Sequence, residues 1–149
     1  MPTYKLFNFN VYPCYSLSSH PHCLEVLHSD TQVTHADQKI AFKHFNTNTR
    51  GGLILRMQTI PSTVYHLFLN GQLVNGDQIN FRVFNPHPTI NLSPEVTIKI
   101  GEQDSRSICF RALSAKTNLI ISTPKSCLDF APYSFILHSL EIIPDCLIC

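Results

Sequence analysis

Short apolar runs that alternate with polar residues, each stopped within about a dozen positions by Pro, Gly or Asn, leave this chain little room for a helix. In Gln78–Phe84 the residues Ile79, Phe81 and Val83 share one side. In Glu95–Ile100 the residues Val96, Ile98 and Ile100 do the same, opposite Glu95, Thr97 and Lys99. A period of two places successive side chains on opposite faces of a strand, and a 3.6-residue period is almost absent. Ten prolines supply many of the stops, because proline cannot donate to a ladder.

The pattern predicts strands over Thr3–Tyr12, Cys23–Leu27, Lys39–Phe45, Leu53–Gln58, Val64–Leu69, Gln78–Phe84, Glu95–Ile100, Ser107–Leu113, Leu119–Ser122 and Ser134–Ile143. Asn46–Gly52, Asn70-Gly71 and Asn75-Gly76 read as turns, since Gly and Asn accept positive φ. Short strands at this spacing imply an all-β fold, an immunoglobulin-like antiparallel β-sandwich of roughly seven to nine strands. No linker interrupts the series, so residues 1–149 read as one domain, in which residues 1–22 can stand apart as an N-terminal extension. Phe42, Leu55, Phe81, Val83, Ile98 and Phe110 are the expected core.

Charge narrows the function. Charged residues are 14% of the chain and the formal net charge is +1, with the eleven Lys and Arg scattered. Nucleic-acid binding ordinarily needs a clustered basic footprint, so it is not expected. Most of the eight histidines read as solvated β-surface residues. No run of about 18 apolar residues exists, so no transmembrane segment is expected, and the chain reads as soluble and cytoplasmic. In that setting the six cysteines read as reduced thiols, with Cys109 a small buried hydrophobe, and Asn91-Leu92-Ser93 is a chance match to a glycosylation acceptor.

One stretch carries a resemblance. Phe42-Lys43-His44-Phe45-Asn46-Thr47 is followed by Leu53-Ile54-Leu55-Arg56-Met57-Gln58-Thr59-Ile60-Pro61, then Tyr65, then Gly71 through Phe81. This order resembles the major sperm protein / VAMP-associated protein (MSP) domain, over about a third of the chain. The resemblance implies a non-enzymatic protein–protein interaction module, an adaptor or a self-associating structural protein. Its partner would be a protein or peptide, a second copy included, held at Arg56, Gln58, Thr59 and Ile60 with Glu95 and Thr97 on a facing strand. With Gln58 and Glu95 in that face, hydrogen bonding and apolar contact would outweigh charge.

Other chemistry has weaker signatures. His20-Pro21-His22-Cys23 with Cys146 and Cys149 could supply zinc ligands, making a zinc-stabilised Cys/His domain one alternative. A small hydrolase using a Cys/Ser–His pair is another, although no nucleophile elbow, phosphate loop or paired-carboxylate motif is present. Cys146-Leu147-Ile148-Cys149 has the outline of a prenylation box but lacks a usual last residue and a polybasic run. The reading is therefore of no catalytic residue, no metal and no cofactor.

Overall fold

The computed structural model describes residues 3–6, 8–14, 22–46, 48–99, 103–124 and 132–145. They form thirteen strands and no helix: β1 (Tyr4–Leu6), β2 (Phe9–Pro13), β3 (Cys23–Val26), β4 (Thr31–Ala36), β5 (Lys39–His44), β6 (Gly52–Gln58), β7 (Val64–Asn75), β8 (Gln78–Pro86), β9 (Thr89–Asn91), β10 (Val96–Lys99), β11 (Gln103–Arg111), β12 (Lys116–Ser122) and β13 (Tyr133–Pro144). The larger sheet runs β1-β2-β3-β6-β12-β8-β10, with β9 also on β8; the smaller runs β11-β7-β13-β5-β4. All described pairings are antiparallel except the short contact of β2 with β3. The all-β sandwich expected from the alternation is the fold observed, with more strands than seven to nine.

The core lies between the two sheets. Phe42, Leu55, Phe81, Val83, Ile98 and Phe110 are all buried, as the phasing requires. Phe135 on β13 is the hub: its ring lies 5.7 Å from Phe42 in its own sheet and 5.6 Å from Phe81 in the opposite one. The expected turn at Asn70-Gly71 does not form. β7 runs through it to Asn75, because a Cβ on Gly71 would overlap the Phe135 ring; the glycine is there for close packing. The chain turns instead at Gly76, which has φ +124°, where Asp77 accepts the Tyr133 hydroxyl proton in a hydrogen bond. Burial of that phenol, together with the Asp77 carboxylate, raises its pKa.

Thr3–Tyr12 is a hairpin rather than one strand, with Asn8 at φ 57° between β1 and β2. β4 and β9 carry no strand signal in the sequence, because Thr31–Ala36 and Thr89–Asn91 are polar edge segments with little apolar alternation. Thr47, Ile100 and the carboxyl-terminal Cys-Leu-Ile-Cys lie outside the described residues.

The cysteines correct the sequence expectation. Cys14 and Cys23 are joined in a disulfide, and Cys109 is free and exposed on the outer face of β11. On a strand with one face open to solvent successive residues of Ile108-Cys109-Phe110 point to opposite sides, and Ile108 and Phe110 are the ones that turn inward. The disulfide ties the end of β2 to the start of β3, where Cys14 N–H donates to the Leu24 carbonyl at 2.8 Å. Closing a loop of sequence separation 9 should stabilise the fold by about 2–3 kcal/mol. Urea denaturation of Cys14→Ser/Cys23→Ser against the oxidised chain measures it. An unchanged midpoint would show that the bond contributes nothing.

Candidate binding face on the smaller sheet

β7 is a central strand of the smaller sheet, between β11 and β13, and alternation divides it cleanly. Tyr65, Leu67, Leu69, Gly71 and Leu73 are buried, which leaves His66, Phe68, Asn70, Gln72 and Val74 on the outer face. Register then fixes their neighbours. Phe68 lies between Ser107 on β11 and Glu141 on β13; Asn70 between Ser105 and Ser139; His66 between Cys109 and Ile143. A register shift between Leu137 and Ser139 brings Ser139 and Glu141 to this face, since without it the alternation would turn them inward.

Phe68 is 44% exposed although it sits in the middle of a sheet. Phe45, the other strongly exposed phenylalanine among the described residues, lies in the loop after β5. The cross-strand neighbours of Phe68 on the β11 side are short, so its ring stands above them. The His66 ring packs beside it, 6.2 Å between centroids and 21° between planes. Nε2 of His66 lies 2.9 Å from Asp145 Oδ2, which orients the imidazole. The face thus offers two aromatic rings in line, edged by hydroxyls, amides and the Glu141 carboxylate. From His66 to Gln72 it extends on the order of 20 Å along the strand.

The site residues expected from sequence lie on or near the larger sheet, and the structure does not gather them. Arg56 is engaged by Glu25, with Nε at 3.0 Å and Nη2 at 2.6 Å from the same carboxylate oxygen. Gln58 is exposed opposite Lys116. Thr59 is only 4% exposed; its hydroxyl donates to the Ser114 carbonyl at 2.8 Å and meets Thr117 at 2.9 Å. Ile60 is 65% exposed in the loop beyond. Glu95 and Thr97 sit at β10, with β12 and β8 between them and β6, so roughly 14 Å of sheet separates them from Arg56. Thr97 is engaged with Asn80, its hydroxyl donating to Oδ1 at 2.9 Å. Sequence reasoning missed Phe68 and its row. The signal was present in the His-x-Phe-x-Asn-x-Gln alternation of residues 66–72, but a turn assigned at Asn70-Gly71 cut it in two.

No protein-family model matches the chain, and no curated protein matches it. Solved structures do match in fold. A family 4 carbohydrate-binding module superposes with TM-score 0.59 at 8% identity, over 82% of this chain and 86% of the module. The CBM22-1–GH10 modules of the Clostridium thermocellum xylanase 10B, complexed with xylohexaose, match with TM-score 0.57 at 12% identity. That match covers 84% of this chain and only 26% of the xylanase chain. The CBM29-2 module complexed with cellulohexaose gives TM-score 0.54 at 9% identity, over 77% of this chain and 75% of the module.

These neighbours correct the family expectation: the sandwich is of the kind found in carbohydrate-binding modules, not that of the MSP domain. The motif that suggested it spans both layers: Phe42 lies on β5 in the smaller sheet and Leu53–Gln58 form most of β6 in the larger. The protein- or peptide-binding partner, the second copy and the adaptor function inferred from that family fall with it. So do the two alternatives. Cys23 is committed to a disulfide, and among the described residues no group of three or more His, Cys, Asp or Glu could hold a metal. His20, Cys146 and Cys149 lie outside the described residues. As for a Cys/Ser–His hydrolase, Cys109 is exposed on the outer face of an edge strand of the smaller sheet, not in a cleft that could enclose a substrate. Among the described residues no helix is long and apolar enough to cross a membrane.

Proposed function

We propose that this chain is a carbohydrate-binding domain that lays an oligosaccharide along the outer face of β7. The observation that carries the reading is Phe68, an exposed ring in mid-sheet, bordered by His66, Ser107, Asn70 and Glu141. A sugar ring is apolar on its C–H faces and ringed by hydroxyls. An aromatic side chain covers the former by dispersion, while serine, amide and carboxylate groups take up the latter. The shared fold with modules complexed with xylohexaose and cellulohexaose supports the reading. The role is binding without catalysis, and it asks for no cofactor. The Cys14–Cys23 bond favours an oxidising compartment over the cytoplasmic one, since disulfides rarely persist among cytosolic thiols.

Calorimetric titration with xylohexaose and cellulohexaose tests it. One of them should bind, and Phe68→Ala should weaken that binding at least about tenfold, the equivalent of about 1.4 kcal/mol, with no loss of stability. If neither saccharide binds, or if Phe68→Ala binds as the parent does, the reading is wrong.

A further inference from the structure

The larger sheet carries a separate groove on its own outer face, of about 190 Å³, with Ile120 in its lining. Arg50 and Arg82 line it together with Asn80, Ser122 and a single carboxylate, Glu95. Arg82 stacks its guanidinium over Phe84, 5.8 Å from the ring centroid, and its Nε is shut off from solvent with no hydrogen-bond partner. Asn80 already uses its oxygen to accept Thr97 and Gln78, which leaves its amide nitrogen as a donor.

We propose that this groove binds a carboxylate group, as carried by a uronic acid residue of an acidic saccharide or by a simple organic acid. The geometry has a precedent on the same face: Arg56 places Nε and Nη2 on the Glu25 carboxylate, and on Arg82 the Nε of that edge has no partner. Turning that edge onto a carboxylate oxygen would satisfy the orphaned donor and retain a planar, charge-assisted pair. The charge count selects a monoanion, because two guanidiniums and one carboxylate leave a single positive charge; a dianion would leave the groove negative. The apolar Ile120 and Leu27 accommodate the carbon frame behind the carboxylate. The site stands on the opposite sheet from Phe68, so it does not depend on the saccharide reading of that face.

Chemical-shift titration of the full chain with methyl glucuronide, methyl glucoside, acetate and inorganic phosphate tests the proposal. Methyl glucuronide should perturb Arg82 and Asn80 and bind at least tenfold more tightly than methyl glucoside. Arg82→Lys and Arg50→Gln should each weaken it at least fivefold, while Phe68→Ala should leave it unchanged. Arg50 is exposed in a loop, so its variant keeps the test sound even if Arg82→Lys unfolds. Acetate that competes as well as the glucuronide would support the carboxylate site and name a free acid as its source; acetate that fails to compete would support the saccharide source. Equal binding of glucuronide and glucoside, tighter binding of phosphate, or insensitivity to both arginine substitutions would overturn it.

Discussion

Phe135→Ala should destabilise the fold by roughly 3–5 kcal/mol, a large part of the stability of a domain this size. The ring is fully buried and touches both layers of the sandwich, Phe42 within its own sheet and Phe81 across the interface. Its edge also occupies the space over Gly71, where no side chain can collapse to fill the void. A cavity bounded by strands of two sheets relaxes poorly, which puts the cost at the upper end of the range for aromatic truncation. Urea denaturation gives the value directly. A loss below about 1 kcal/mol would mean that the interface repacks and that Phe135 is not the hub the ring geometry makes it.

The same alternation that made this core legible explains what the sequence could not convey. Period two sorts residues between inside and outside, so Phe81, Val83 and Ile98 could be placed before any partner strand was known. It does not say which sheet a strand joins. Phe42–Thr47 and Leu53–Pro61 are neighbours in sequence, yet β5 and β6 lie in opposite sheets, which no local pattern announces. Gly71 shows a second limit. Asn-Gly is a strong hairpin signal, but here the glycine makes room for a ring 64 residues further along the chain, and tertiary packing overrides the local preference.

The candidate site was hidden for a related reason. Phe68 reads as one more strand aromatic until the partner strands are aligned, because its exposure depends on Ser107 beside it and on the register shift that sets Glu141 on the other side. Arg56, Gln58, Thr59 and Ile60 are close in sequence, yet they divide into an ion-paired side chain, an exposed amide, a buried hydroxyl and an exposed loop residue. Linear proximity in a β-protein places residues on one strand, whereas a binding face is assembled across strands. The disulfide is not legible because the absence of a long apolar run reads as a cytoplasmic setting with reduced thiols, and no spacing rule pairs two cysteines nine residues apart.

Gly51→Ala should cost about 3 kcal/mol through one specific overlap. The added Cβ would fall on the imidazole of His44, a ring with no solvent exposure. That ring cannot swing aside cheaply: Nδ1 lies 2.9 Å from the Thr31 hydroxyl, and Nε2 lies 3.1 Å from both the carbonyl and the hydroxyl oxygen of Thr49. Thr31 in turn accepts Gly52 N–H at 3.2 Å, and Thr123 accepts Gly51 N–H at 2.9 Å, so the cluster joins β4, β5 and the approach to β6. Gly51 itself does not have the positive φ of Gly52, which separates steric overlap from backbone strain. Moving the ring would break hydrogen bonds that nothing else in a buried site can replace. A double-mutant cycle isolates the cause: in a His44→Ala background the same Gly51→Ala change should cost less than about 1 kcal/mol, because the obstacle is gone. Equal costs in the two backgrounds would show that the imidazole is not what holds position 51 to glycine.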